Sequence, residues 1–162
     1  MESKKLIVFH TYTGHTKYIA EMIEHKINCD ILEIKPKKPY SENYEIVVDK
    51  YQNNESVKET PEIEKIDVNL DEYDEIILGS PVWWYTITPP IRTFLKENDL
   101  SGKTIIPFAT NAGWLGRTFK EIKSLCPNSK VEKEMNIVFA EDYKVNELVT
   151  KEEEIDKWIE SL

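Results

Sequence analysis

The fold is decided near the start of the chain, by the stretch Leu6-Ile7-Val8-Phe9-His10-Thr11-Tyr12-Thr13-Gly14-His15-Thr16. Its first four residues are an unbroken apolar run, which is typical of a short strand buried on both faces. From residue 16 to residue 27 the apolar residues fall on one face at helical spacing, so a helix is expected there. A buried strand that passes through a polar loop into an amphipathic helix predicts a parallel sheet covered by helices.

The same alternation of strand and helix continues along the chain. We predict strands over residues 6–9, 29–34, 75–79, 104–109 and 131–139, and helices over residues 16–27, 89–95, 117–125 and 146–162. The pattern indicates one domain over residues 1–162, an α/β fold with a five-stranded parallel sheet and helices on both faces. A long polar connection, residues 40–68, departs from the alternation and holds at most a short helix over residues 45–51. Pro107 lies inside the predicted fourth strand, where it removes a ladder hydrogen bond.

Charge excludes one large class of protein. The chain has 162 residues with 21 basic and 30 acidic side chains, a net charge of −9, which is the wrong sign for a nucleic-acid binder. The excess is regional, because residues 41–75 carry twelve acids and three lysines, and the remainder is neutral. This acidic segment is either a solvated face or a docking surface for a basic partner.

The sequence shows no sign of a membrane segment, a secretory signal or a metal site. No apolar run approaches the ~20 residues that span a bilayer, so we expect no membrane partner. Cys29 and Cys126 are far apart and form no paired motif, so we expect neither a disulfide framework nor a zinc site, and a reducing, cytoplasmic setting fits best.

The polar loop after the first strand has the composition of an anion cradle. Threonine hydroxyls and backbone N–H groups meet at the start of a helix, where the helix dipole and the free donors favour a phosphate. Gly14 lets the backbone come close to such a group. The alternative is ordinary helix capping by Thr13 or Thr16. The loop lacks the residues of a P-loop or of a dinucleotide-binding turn, so neither of those functions is indicated.

Two more loops follow the third and fourth strands, at the sheet edge where ligands of open parallel sheets bind. Three of the four tryptophans fall in them: Trp83, Trp84 and Trp114. Tryptophans in such loops indicate a surface for a flat aromatic ring, and at least one of them is expected to pack on the sheet edge instead. Gly113 and Gly116 let the backbone approach a ring edge. A phosphate cradle with two loops that sandwich a plane describes a flavin mononucleotide (FMN) site.

These residues resemble the motifs of the flavodoxin family. Residues 7–16 are similar to the FMN-phosphate signature of flavodoxins. Residues 79–84, followed by Pro89 and Pro90, resemble a subgroup of flavodoxin-like proteins with a Pro-x-Trp-Trp loop. The resemblance spans residues 4–140 and implies the flavodoxin strand order 2-1-3-4-5, with FMN at the carboxyl edge of the sheet.

The resemblance also implies which residues bind FMN. The first loop would wrap the phosphate, the second would cover one side of the ring system, and the third would meet the pyrimidine edge or the opposite face. The full set is Thr11, Tyr12, Thr13, Gly14, His15, Thr16, Pro81, Val82, Trp83, Trp84, Tyr85, Thr110, Asn111, Ala112, Gly113, Trp114 and Gly116. His15 is a candidate for a hydrogen bond to the phosphate, and no residue is assigned a catalytic role.

Two positions depart from the subgroup. Tyr85 stands where members often have glycine, next to a peptide that turns in many flavodoxins to stabilise the one-electron-reduced flavin. Because tyrosine makes positive φ costly, we expect that state to be weakly stabilised in this chain. Ala112 replaces another common glycine, so the donor geometry of that loop is expected to differ.

Three functions are compatible with these features. The resemblance implies a low-potential electron carrier, whose acidic segment would steer redox proteins with basic docking surfaces and which would act as a monomer or weak dimer. An alternative is an NAD(P)H-dependent quinone or flavin reductase on the same fold, which needs a basic group near the flavin; the two arginines are Arg92 and Arg117. A third possibility, a domain that has lost its cofactor and binds a partner, is disfavoured by the intact threonine loop.

Overall fold

The computed structural model describes residues 4–162, which contain seven strands and five α-helices. The strands are β1 (Lys5–Phe9), β2 (Asp30–Glu33), β3 (Glu75–Trp83), β4 (Thr86–Ile87), β5 (Thr104–Asn111), β6 (Lys130–Val131) and β7 (Met135–Val138). The helices are α1 (His15–Ile27), α2 (Tyr44–Tyr51), α3 (Pro89–Glu97), α4 (Thr118–Leu125) and α5 (Glu152–Glu160). In this part of the chain, no helix has the length and apolar character needed to cross a bilayer.

The sheet has the predicted order. Its hydrogen-bonded sequence of strands is β2-β1-β3-β5-β6, with β7 continuing beside β5 and all of these pairs parallel. Counting β6 and β7 as one interrupted strand, this is the order 2-1-3-4-5. The carboxyl ends of β1, β3 and β5 therefore lie side by side, and the three loops singled out in the sequence leave from the same edge.

The strand residues alternate between two apolar cores, one on each face of the sheet. On one face, Leu6, Val8 and their neighbours pack against α3 and α4, through residues such as Phe94 and Ile122. On the other face, the intervening strand residues, such as Ile7, pack against α1 and α5. This alternation confirms the prediction of helices on both faces, because a strand buried twice presents apolar side chains in both directions.

The predicted fifth strand is wrong as a continuous element. This part of the chain pairs with β5 twice, first as β6 and then as β7. Between the two strands, residues 132–134 are not paired with β5, and Lys133 has a φ of 56°. The break lies opposite Pro107. The carbonyl of Ile105, two residues earlier, accepts from Glu132 on this side of β5. The missing N–H of Pro107 points to the same side, so the interruption occurs where β5 has no donor to offer.

Two other boundaries differ from the prediction. β3 runs four residues beyond Gly79 and turns back through a two-residue turn into β4, which pairs Trp83 with Thr86. The last helix starts at Glu152 rather than at residue 146 because the chain before it pairs with β7: Leu148 bridges to Phe139. Local apolar spacing does not distinguish such tertiary pairing from a helix.

The long connection over residues 40–68 begins beside the loop after β1, and its later residues Ile63, Ile66 and Val68 pack against the core on the α3–α4 face of the sheet. It contains α2, whose first N–H groups donate to the Asn43 side chain, so the short predicted helix is confirmed. Farther on, the backbone of Glu62 and Glu64 pairs with that of Lys35 and Lys37. The ring of Tyr44 stacks on that of Tyr12, with centroids 6.2 Å apart, which places α2 beside the loop that follows β1.

Candidate functional site

The loop between β1 and α1 ends in an uncapped helix. Gly14 is the N-cap of α1, with a φ of 106° and no side-chain cap, so the capping alternative for Thr13 and Thr16 is wrong. The Gly14 N–H donates to Thr11 Oγ1 at 3.1 Å, which closes the loop. The first N–H groups of a helix have no acceptor within the helix, so α1 presents free donors and the positive end of its dipole to this loop.

Buried hydroxyls make two separate links at this edge of the sheet, one between α1 and β5 and one between β1 and β3. Thr16 Oγ1 and Thr110 Oγ1 are 2.8 Å apart and join α1 to the end of β5. His10, at the end of β1, places Nδ1 2.8 Å from Thr88 Oγ1, and the Thr88 N–H donates to Ser80 Oγ in β3. The Thr16 hydroxyl, which was predicted to bind a phosphate, is therefore already hydrogen-bonded to Thr110.

His10 is a buried, neutral histidine. Only 2% of its surface is exposed, and burial lowers the pKa of its imidazole to about 3. The rings of Tyr40 and Trp83 approach it edge-on, at 6.2 and 5.8 Å between centroids. At neutral pH His10 is thus an uncharged, fixed side chain beside the groove that also contains Thr11 and Tyr40.

The side chain of His15 faces the loop after β7. Its Nε2 donates to the carbonyl of Val145 at 2.8 Å, and its ring stacks on Phe139 with centroids 4.0 Å apart. The side chain thus holds the β7 loop against the start of α1. Its backbone N–H remains part of the helix start.

A cleft of about 270 Å³ opens between the loops after β3 and β5. Most of the predicted residues line it: Tyr12, Thr13, His15, Pro81, Val82, Trp83, Trp84, Tyr85, Thr110, Asn111, Ala112 and Trp114. The rings of Trp84, Tyr85 and Trp114 are 40%, 46% and 57% exposed. Exposed aromatic faces around a concave cleft suit a flat apolar ligand.

Five predicted residues do not line this cleft. Thr11 lines the neighbouring groove, Gly14 occupies the N-cap position of α1, and Thr16 is buried. Gly113 donates its N–H to Asn111 Oδ1 at 2.8 Å and thereby shapes the loop. Gly116 lies against Tyr85, where a Cβ atom would be 2.4 Å from the Tyr85 Cβ.

Trp83 is the tryptophan that packs inward. Its ring lies 5.2 Å from those of Tyr40 and Tyr51 and 5.7 Å from that of Tyr12. Burial raises the pKa of the Tyr40 phenol, which is therefore protonated at neutral pH. This cluster joins α2 to the wall of the cleft, and it confirms the expectation that one tryptophan packs on the sheet edge.

The sequence reasoning missed five lining residues from two segments. These are Tyr44 from α2 and Phe139, Ala140, Glu141 and Tyr143 from the loop after β7. The rings of Tyr44 and Tyr143 stack with centroids 3.9 Å apart and planes 8° from parallel, so the two segments meet over the loop after β1. The loop after the last strand also leaves from the carboxyl edge of the sheet, so its residues, including Tyr143, could have been predicted to lie near the cleft.

The two arginines have different environments. Arg92 is 4% exposed and donates from Nη1 to Glu121 Oε1 at 2.7 Å, which joins α3 to α4. It is neither at the cleft nor on a helix surface. Arg117 is exposed and precedes α4, and its backbone N–H donates to the Tyr85 carbonyl at 2.7 Å.

The described residues contain no group of three side chains suited to hold a metal ion. Cys29 and Cys126 are free thiols, and burial raises the pKa of each to about 11. The chemistry at this edge therefore consists of backbone donors, hydroxyls and aromatic rings. Such a set, together with the Glu141 carboxylate in the cleft lining, can bind and orient a ligand.

A doubly wound parallel sheet of this order, with an uncapped helix start and a ring-lined cleft at one edge, defines a protein of the flavodoxin-like fold. A family model described as Flavodoxin matches residues 4–162, and the chain belongs to the flavodoxin family. No curated protein matches it.

Solved structures share this fold over nearly their whole length. A flavoprotein candidate from Bacteroides eggerthii is 27% identical with a TM-score of 0.76, covering 99% of this chain and 98% of that chain. A flavoprotein from Lactobacillus acidophilus in complex with FMN is 24% identical with a TM-score of 0.73, covering 97% and 99%. Oxidised Flavodoxin 2 from Bacillus cereus is 19% identical with a TM-score of 0.57, covering 98% and 94%. The last two show that the fold is shared.

Proposed function

We propose that this flavodoxin binds FMN in the cleft and carries electrons between protein partners at low potential. The observation that carries the proposal is the placement of an uncapped α1 start and a ring-lined cleft on the same sheet edge. The structural relative from Lactobacillus acidophilus, solved with FMN, supports the choice of cofactor.

The residues at the site fit FMN. A Cβ at Gly14 would have no atom within 4 Å, so the space beside the start of α1 is open to a phosphate. The loop from Thr11 to Thr16 has no lysine or arginine, so neutral N–H and O–H groups would hold that phosphate. The exposed rings of Trp84, Tyr85 and Trp114 supply apolar surface that a planar ring system would cover.

FMN, when bound, supplies the redox couple, and the chain supplies binding, orientation and electrostatics. The start of α1 would bind the phosphate of the cofactor, and the rings of the β3 loop would shield its ring system from water. Glu141 lines the cleft, and Glu42 and Glu45 are exposed beside Tyr44. Their negative charge and the apolar rings oppose extra negative charge in the cleft, which lowers the reduction potential.

The acidic surface supports docking by basic redox proteins. Steering by charge raises the rate at which complementary surfaces meet. The acids around the cleft mouth are exposed, which leaves them available for such a partner.

One observation favours the reductase alternative. Arg117 is exposed and directly follows Gly116, and its backbone N–H donates to the Tyr85 carbonyl, so the residue lies beside the turn that carries Tyr85. An arginine in this place suits the phosphates of a nicotinamide nucleotide. Arg92 gives no support, since it is buried with Glu121.

The first test is the absorbance spectrum of the purified protein, followed by FMN titration and anaerobic stepwise reduction. We expect flavin bands or FMN binding at micromolar concentration or tighter. Trp114→Ala should weaken FMN binding about tenfold, since one ring contact contributes about 1.4 kcal/mol. The absence of flavin bands and of FMN binding would contradict both redox functions.

A second measurement separates the carrier from the reductase. The FMN-loaded protein alone should oxidise NADH and NADPH with a quinone acceptor no faster than free FMN does. Turnover well above that level, lost in Arg117→Ala, would establish the reductase instead.

A further inference from the structure

The turn between β3 and β4 has an unusual combination of backbone and side chains. Trp83 pairs with Thr86, so Trp84 and Tyr85 are the two central residues of the turn. Their φ angles are 45° and 66°, both in the left-handed region. Two-residue hairpins with positive φ at both positions normally contain asparagine, aspartate or glycine. Two large aromatic residues in this conformation are strained.

Neither side chain is enclosed in a packed core that would fix the backbone of the turn. Trp84 is 40% exposed and Tyr85 is 46% exposed, and their rings meet edge-on at 5.2 Å. A strained backbone persists only where its surroundings hold it. The holding contacts therefore lie elsewhere in the structure.

Those contacts come from the segment between β5 and α4. The Arg117 N–H donates to the Tyr85 carbonyl at 2.7 Å. A Cβ on Gly116 would lie 2.4 Å from the Tyr85 Cβ and 2.5 Å from its carbonyl oxygen, so only glycine fits there. Gly116 itself has a φ of 57°. Thr118 donates its hydroxyl to the Leu115 carbonyl at 2.7 Å, which fixes this segment at the start of α4.

We propose that Gly116 and the Arg117 N–H form a clamp that holds the Trp84–Tyr85 turn in its strained shape and so positions the rings of the cleft wall. Gly116 is a positioning residue that acts through Tyr85. The clamp joins the loops after β3 and β5, so the two sides of the cleft move together. The consequence for FMN rests on the proposed function.

The test compares Gly116→Ala with Gly102→Ala. Gly102 also has positive φ, at 81°, and a Cβ there would meet no atom within 4 Å, so the control carries the same kind of backbone strain without the contact. The first readout is hydrogen exchange of the Arg117 amide in the FMN-free protein. We expect G116A to speed that exchange at least tenfold, and G102A to leave it unchanged once any difference in global stability is subtracted.

The second readout is the dissociation constant for FMN. G116A should weaken FMN binding at least tenfold, and G102A should change it less than twofold. In G116A/Y85G the flexible glycine can yield to the new methyl group, so its FMN affinity should recover toward that of Y85G alone. Additive effects of the two substitutions would overturn the proposal.

The two readouts separate the clamp from the proposed function. If the wild type binds no FMN, the proposed function fails, and amide exchange still decides whether the clamp exists. Equal Arg117 exchange in G116A and wild type would overturn the clamp even if FMN binds. If G116A does not fold, folding of G116A/Y85G supports the direct contact, and failure of both variants counts against it.

Discussion

At the scale of single residues, His10 couples the stability of the site to pH. The imidazole pKa is about 3 in the fold, against an ordinary value of 6.5, because burial disfavours the charged form. The unfolded chain takes up a proton as pH falls through 6.5, and the folded chain does not do so until about 3. The free energy of unfolding should therefore fall as the pH drops between these values.

We predict a slope of about 1.4 kcal/mol per pH unit from His10 in this range. The measurement is urea unfolding at several pH values between 6.5 and 4.5, for wild type and His10→Asn. The variant should be less stable at pH 7 and lose that part of the slope. His25→Asn, at an exposed position on α1, should keep the wild-type slope. If the unfolding free energy had the same pH dependence in wild type and H10N, His10 would not be its source.

The side chains of the cleft were predictable to the extent that they follow strands directly. Trp84 and Trp114 were expected there because parallel strands bring their carboxyl ends together. The roles of Thr16 and Gly116 were not predictable, since each depends on one contact with a distant segment: Thr110 for the former and Tyr85 for the latter. Positive φ was expected to be unfavourable at Tyr85, yet the structure holds this residue in the left-handed region, with a φ of 66°. The effect on the reduced flavin stays a prediction.

At the scale of elements, α3 and α4 are joined by a buried ion pair. Arg92 is 4% exposed and bonds Glu121 at 2.7 Å, while its Nε and Nη2 atoms have no partner among the described residues. A buried pair that is only partly satisfied is weakly stabilising as a whole, although breaking it from one side is costly.

Glu121→Ala should therefore lose about 3 kcal/mol of unfolding free energy, because it leaves the guanidinium buried and unpaired. The double variant R92M/E121L should lose much less than E121A, since it removes both charges. Urea unfolding of the three proteins provides the measurement. A double variant at least as unstable as E121A would show that the pair stabilises the fold outright.

The core elements were predictable from apolar runs and helical spacing, but the sheet margins were not. The sequence indicated that Pro107 would remove a ladder hydrogen bond from the fourth strand. In the structure, the neighbouring strand is the one interrupted, over residues 132–134. The β3–β4 turn was missed because its residues are not the ones that such turns prefer. Pairing of Leu148 with Phe139 likewise overrode a local helical pattern.

At the scale of the whole molecule, the acidic segment divides between opposite edges of the sheet. Glu42 and Glu45 lie beside Tyr44 at the carboxyl edge. Glu72 and Glu75 lie at the amino end of β3, near Lys4 and Lys5 at 4.0 and 3.0 Å. Sequence alone treats the segment as one patch because it carries no information about which edge each acid reaches.

This division predicts how a basic partner responds to charge changes. With cytochrome c as a basic acceptor, E42Q/E45Q/E141Q should slow electron transfer from the reduced, FMN-loaded protein several-fold at low salt. D71N/E97Q/E160Q removes as many exposed charges away from the cleft and should have a smaller effect. The difference in rate between the two variants should vanish near 0.5 M salt, where the Debye length is only ~4 Å. Equal slowing by both variants in stopped-flow experiments would show that net charge, not a docking face, sets the rate.

The break beside Pro107 also affects how copies of the chain can associate. An exposed sheet edge is a template for another strand, and a long uninterrupted row of N–H and C=O groups invites aggregation. Here one edge consists of β6 with two residues and β7 with four, separated by Lys133 in the left-handed region. The other edge, β2, has four residues. Neither edge offers a second chain a long row to pair with, so we expect crowded solutions of this protein to resist strand-mediated polymerisation.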